Sequence, residues 1–142
     1  MNDNTSDNAA CLHNTQLLRR LYEESAQGKR ALFQELAADD ITWWKVGTTT
    51  WSKTYRGRQE VSALFQRLFA LLEGSHCVTA QRFIAERDLV VVEATGRAVT
   101  KAGKRYDNTY CMIYRFADGK IKEVREYCDT ALIDAVLSAA PR

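Results

Sequence analysis

Glu93 and Glu126 are the acidic side chains whose setting most invites chemistry. Both stand in runs of β-branched and aromatic residues in the second half of the chain, where strands form readily. A carboxylate taken out of water is costly unless paired. Burial also moves its pKa toward the range useful for general acid–base work. In the run over 89–100, strand alternation puts Leu89, Val91, Glu93, Thr95, Arg97 and Val99 on one face. Val90, Val92, Ala94, Gly96 and Ala98 fall on the other. That second face is small and smooth and suits close packing of another sheet, such as a second subunit. Glu93, Thr95 and Arg97 are therefore expected on the concave side. Arg97 is the natural partner of Glu93, and the pair reads either as a structural ion pair or as a tuned acid.

The run over 104–116 carries Tyr106, Asn108, Tyr110, Met112, Tyr114 and Phe116 on one face. This large apolar face is expected to meet helices. Asn108 then sits among aromatics, either as a satisfied structural amide or as a pocket hydrogen-bonding group. In the last strand, over 120–128, alternation does not choose a face, and a bulge after Ile121 would switch it. Asp129 has a simple role as a helix cap, which leaves Glu126 as the acid expected to face a cavity. Trp43 and Trp44 are strand neighbours and must point opposite ways. Trp43, which shares its face with Ile41 and Lys45, reads as core filling or as a ligand-stacking wall.

These residues need elements to position them. Residues 1–12 are expected to form a flexible tail and residues 13–142 a single domain. Asn14 or Thr15 caps a helix over about 16–27, with Leu17, Leu18, Leu21 and Tyr22 at helical spacing, and Gly28 ends it. A short helix carries Leu32, Phe33 and Leu36 and ends at Asp39 and Asp40. A strand follows over 41–46, then a Thr-rich loop over 47–57. A third helix over about 58–72 has a broad apolar stripe of Val61, Leu64, Phe65, Leu68 and Phe69. Strands over 78–86, 89–100, 104–116 and 120–128 follow, joined by tight turns that include Asp118-Gly119. Such short connections make those four strands antiparallel. A final helix carries Leu132, Ile133, Val136 and Leu137. The order is that of an α+β fold.

Composition narrows the function classes. The 142 residues are 46% hydrophobic and 27% charged, with 20 basic against 18 acidic side chains and a net charge of +2. That balance gives no electrostatic reason to expect nucleic acid or an anionic membrane. No segment approaches the ~18 consecutive apolar residues of a membrane span. A polar, acidic start lacks the pattern of a secretory signal, so a cytoplasmic location is expected. Cys11, Cys77, Cys111 and Cys128 are irregularly spaced, which argues for reduced thiols and against zinc. His76 and Cys77 are adjacent, and neighbours in an extended segment face opposite ways, so they do not read as a catalytic pair.

Three stretches carry a resemblance. The first is Ala38-Asp39-Asp40-Ile41-Thr42-Trp43, with Gly47 and Tyr55-Arg56-Gly57-Arg58-Gln59-Glu60-Val61. The second is Gly103-Lys104-Arg105-Tyr106-Asp107-Asn108-Thr109-Tyr110. The third is Phe116-Ala117-Asp118-Gly119-Lys120-Ile121 running into Val124-Arg125-Glu126-Tyr127-Cys128-Asp129-Thr130-Ala131-Leu132. From about Thr15 to Leu137 the chain resembles the nuclear transport factor 2-like superfamily, and within it the SnoaL-like, ketosteroid-isomerase-related proteins. The resemblance implies a cone-shaped, cystatin-like curved antiparallel sheet packed on N-terminal helices, with a C-terminal helix and a deep pocket for an apolar small molecule. It implies a homodimer through the outer sheet face and no cofactor. It also implies that Glu93, Thr95, Arg97, Asn108, Tyr110, Val124 and Glu126 face the pocket. On this reading Glu126 or Glu93 acts as general base or acid in an isomerase, cyclase or hydrolase. Asn108 and Tyr110 then donate to an oxyanion, and Trp43 and Met112 form walls. The alternative is a non-catalytic ligand-binding or dimerisation domain. The chain departs from its relatives where steroid isomerases carry their base, since it has Trp44 and Lys45 there. Where epoxide hydrolases use Asp–Arg–Asp it has Glu93 and Thr95, with Glu126 in place of the second Asp.

Overall fold

Tight turns shape the sheet. Arg87, Asp118 and Gly119 take positive φ of 56°, 53° and 75°, as narrow hairpins require. The computed structural model, which describes residues 3–138, runs α1 (Asp3–Ala26), α2 (Ala31–Leu36), β1 (Ala37–Lys45), β2 (Thr54–Arg56), α3 (Gly57–Leu71), β3 (Leu72–Glu86), β4 (Leu89–Thr100), β5 (Thr109–Ala117), β6 (Lys120–Cys128) and α4 (Thr130–Val136). The six strands form one sheet in the order β2-β1-β6-β5-β4-β3. Neighbours are antiparallel except β1 and β6, which are parallel. The sheet is therefore mixed where a purely antiparallel one was expected. The helix-containing connections between β1 and β3 leave β1 free to dock on β6 from the far side. Helices cover the concave face, and the core lies between them and the sheet.

Register decides which side chains meet. Directly opposed residues share a face. Lys45, Glu126, Met112 and Val92 form one row across β1, β6, β5 and β4, and Trp43, Val124, Tyr114 and Val90 form the next. All eight are buried. A register shift between Arg115 and Phe116, matched by the step from Ile121 to Glu123, leaves Lys122 bulged out. Ile121, Val124 and Glu126 then all point inward.

The faces of β4 are the reverse of expectation. Val90, Val92, Ala94 and Ala98 are core residues, whereas Glu93, Thr95 and Arg97 are exposed on the convex side. The small side chains are small because Tyr110, Met112 and Tyr114 of β5 stand beside them and take up the space. A Cβ on Gly96 would lie 3.0 Å from the Tyr110 ring and 3.1 Å from His76 Nε2. The homodimer expected through Val90, Val92, Ala94 and Ala98 loses its surface, since that face is interior.

Several boundaries also move: α2 ends at Leu36 and β1 starts at Ala37, the strand expected over 104–116 starts at Thr109, and the loop expected over 47–57 contains β2. The helix expected to start at Gln16 begins at Asp3, so most of the expected tail is helical, while Met1 and Asn2 lie outside the described residues. Residues 3–27 contain neither Gly nor Pro, and Ala9 and Ala10 favour helix. Residues 4–10 are nonetheless exposed. β3 starts at Leu72 instead of residue 78, which brings His76 into the sheet.

Candidate functional site

A cavity of about 320 Å³ lies between the concave face of the sheet and the helices. Its apolar wall grows from the α3 stripe. Phe65 meets Phe33 and Trp43 edge-on, with ring centroids 5.8 and 5.0 Å away, and stacks on Phe69 at 6.1 Å. Leu64 and Leu68 of α3 and Met112 of β5 continue the lining. Arg30, exposed, lies over the Phe69 ring at 3.9 Å.

Within this apolar setting Glu126 is, among the described residues, the one carboxylate of the lining, and it is 6% exposed. Its Oε1 accepts from Trp43 Nε1 at 3.1 Å, and its Oε2 accepts from Lys45 Nζ. Trp43 and Lys45 alternate along β1 and so reach the same face, and the parallel register sets Lys45 directly beside Glu126. Burial alone would pull the Lys45 ammonium down. The charge and hydrogen bond of Glu126 outweigh this and hold it above the usual lysine value. The pair is thus a buried ammonium–carboxylate bridge, tied further by an indole N–H.

A second polar group faces the cavity from β3 and β5. Tyr110 Oη and His76 Nε2 are 3.3 Å apart, with donor and acceptor set by the imidazole tautomer. Burial, helped by the nearby positive charges of Arg30 and Lys45, lowers His76 to about 4 against the pull of Glu126. His76 is therefore neutral at pH 7. Burial holds the Tyr110 phenol well above its ordinary value, with the neighbouring Tyr106 and Glu126 adding to the shift. Tyr110 is thus a protonated donor. Tyr22 and Tyr114 share a 2.8 Å hydrogen bond along the same cavity. Cys128, 3.7 Å from Glu126 Oε2, has its thiol pushed up to about 12, first by burial and then by Glu126. It is no nucleophile at neutral pH. Among the described residues no cluster of three or more His, Cys, Asp or Glu is placed to hold a metal.

The structure brings Glu126, Trp43, Tyr110 and Met112 together in this lining. It does not bring the other expected residues there. Glu93, with its side chain 50% exposed, pairs with Arg82 at 3.3 Å across the convex face and not with Arg97. Thr95 accepts from Gln81 on the same outer side. Asn108 is 1% exposed but fully occupied. Its Nδ2 donates to Tyr106 Oη and to the Asp129 carbonyl, and its Oδ1 accepts from the N–H groups of Thr109 and Asp129. It pins β5 to the start of α4 and has nothing left for a ligand. Val124 lies beneath the lining, between Trp43 and Tyr114. Asp129 caps α4, accepting from the Leu132 N–H at 3.2 Å.

Sequence reasoning missed Lys45, His76, Tyr106 and Trp51, all of which line the cavity. For Lys45 the signal was there, since it alternates with Trp43. His76 lay outside the expected strand, and Trp51 lay in a loop with no periodicity to read.

The SnoaL-like domain family model matches residues 18–124. No curated protein matches the chain. Solved structures do. Bal32a from a soil-derived mobile gene cassette is 22% identical, with 91% of this chain and 99% of that one covered and a TM-score of 0.82. A putative SnoaL-like polyketide cyclase from Jannaschia sp. CCS1 is 21% identical, covering 90% and 93%, with a TM-score of 0.73. TerC, co-crystallised with polyporic acid, is 17% identical, covering 89% and 98%, with a TM-score of 0.76. At these identities the likeness is one of fold.

Proposed function

The chain belongs to the SnoaL-like domain family, within the nuclear transport factor 2-like superfamily, and we propose that it moves a proton on an apolar, carbonyl-bearing small molecule without a cofactor. The observation that carries this reading is Glu126, the single carboxylate in an aromatic cavity. Burying an ion pair there costs desolvation that a well-packed apolar pair would avoid. Glu126 is the base, taking a proton from the carbon beside the carbonyl. Its Oε2 accepts from both Lys45 and Cys128, whereas Oε1 accepts only from Trp43 and keeps a lone pair to meet the substrate. Tyr110, kept protonated and backed by neutral His76, donates to the oxyanion that develops. Isomerisation and ring closure both fit this chemistry. The similarity in fold to a putative polyketide cyclase and to TerC, co-crystallised with polyporic acid, supports a small-molecule ligand.

The hydrogen bonds already made to both Glu126 oxygens favour a second reading, in which the cavity holds its ligand unchanged. Deuterium exchange separates the two. With 2-tetralone in D2O, followed by proton NMR, the protein is expected to speed exchange beside the carbonyl. Glu126→Gln should lower that rate about 100-fold or more while 2-tetralone still binds. Binding without exchange in the unaltered protein overturns the catalytic reading in favour of the second.

A further inference from the structure

The loop between β1 and β2 holds one polar atom that the proposed chemistry does not use. Trp51 is 2% exposed and lines the cavity together with Lys45 and Ile133. Its Nε1 is the only buried side-chain nitrogen or oxygen among the described residues without a hydrogen-bond partner. Backbone and side-chain donors buried in folded proteins are otherwise paired, because an unpaired one keeps its full desolvation penalty.

Nothing about Trp51 suggests a loose side chain that could turn to find a partner. Its own N–H donates to Thr49 Oγ1 at 3.1 Å, and its carbonyl accepts from Tyr55 Oη at 2.7 Å. The Thr49 and Ser52 hydroxyls bond each other at 2.8 Å, and Ser52 Oγ donates to the Val46 carbonyl at 2.7 Å. The Arg67 guanidinium lies over the indole at 3.8 Å. Gly47, with φ of 94°, starts the loop where a Cβ would strike Thr130 at 2.8 Å. The loop backbone and Arg67 of α3 thus clamp the indole, and its N–H is left unmet in the wall of a ligand-sized cavity. Trp43, the other cavity indole, has its N–H committed to Glu126.

We infer that Trp51 is a specificity-determining donor: its indole N–H is kept for a hydrogen-bond acceptor on the ligand, such as a carbonyl oxygen. This rests on the small-molecule reading of the pocket and adds to it a demand on the ligand. A site built to hydrogen-bond one group rejects the analogue lacking it, because the site's own donor is then left unpaired. A single trapped water would satisfy the N–H equally and leave no such discrimination.

The test compares two probes of matched shape, 2-tetralone and tetralin, by calorimetric titration. The unaltered protein is expected to prefer 2-tetralone by about tenfold or more, and Trp51→Phe, which keeps an aromatic ring under Arg67, should lower that ratio about fivefold, the rest being held by Tyr110. In 15N-labelled unaltered protein, the indole N–H resonance of Trp51 should shift with 2-tetralone and stay in place with tetralin. This readout serves even if the variant does not fold. Equal affinities in the unaltered protein, a preference undiminished by Trp51→Phe, or an unmoved Trp51 resonance overturns the inference. Failure of the proton-transfer reading looks different, since exchange is then absent while the tetralone preference remains. If neither probe binds, both fail.

Discussion

Lys45 and Glu126 depend on one another, because each is a charge with little water around it. Removing one partner leaves the other buried and uncompensated, whereas removing both leaves only apolar surface. Lys45→Met is expected to destabilise the fold by about 3 kcal/mol, and Lys45→Met combined with Glu126→Leu should recover most of that loss. Urea denaturation of the two variants and the unaltered protein measures this directly. His76 gives the site a second, pH-dependent signature. Its folded value of about 4 lies below the ordinary 6.5. Above pH 6.5 the imidazole is neutral in both states and contributes no slope. Between 6.5 and 4 the unfolded chain takes up a proton that the folded chain refuses, so stability falls as pH falls. The loss should approach about 3 kcal/mol at pH 4. His76→Gln should flatten that part of the pH profile, and an unchanged slope would show that the imidazole is not held neutral.

At the scale of the element, β4 carries the sharpest consequence of register. Val92 meets Met112 and is wholly buried, while its neighbour Glu93 faces out to Arg82. Val92→Ala should cost about 2 kcal/mol. Glu93→Ala should stay within about 0.5 kcal/mol, because an exposed pair is worth little. The opposite ranking in thermal or urea unfolding would mean that the strand is turned over. Loss of the Glu93 side chain should also leave tetralone exchange intact, since it lies on the far side of the sheet from the cavity.

Across the whole molecule, stability is concentrated where helices cover the sheet. α1 contributes through Leu18 and Leu21, both buried, and through Tyr22 on Tyr114. Its first turns are exposed, and among the described residues the earliest side-chain bond is from Cys11 Sγ to the Arg87 carbonyl at 3.4 Å. Deleting residues 1–10 is therefore expected to change stability by less than about 0.5 kcal/mol and to leave probe binding unaltered. A large drop in the urea midpoint would show that the exposed start of α1 is part of the folded unit.

Alternation and turn chemistry are local, and what depends on them was readable from the chain itself. The inward face of β5 follows from its aromatics, the bounds of β4 and β6 from their turns, and the capping role of Asp129 from the helix that follows it. Glu126 was reached by elimination, once Asp129 was given the capping role, and by the family resemblance, because alternation did not choose the face of β6. Alternation says which residues share a face, but not which face is covered. For β4 that was decided by Tyr110, Met112 and Tyr114, whose bulk needs small neighbours on the inner side. The partners of Glu126 lie 81 and 83 residues away in β1, brought alongside by a parallel pairing that no hairpin signals. The unmet N–H of Trp51 is a property of everything around it at once. Hydrogen-bond satisfaction and burial are sums over neighbours distant in the chain, and only the tertiary structure sets those neighbours.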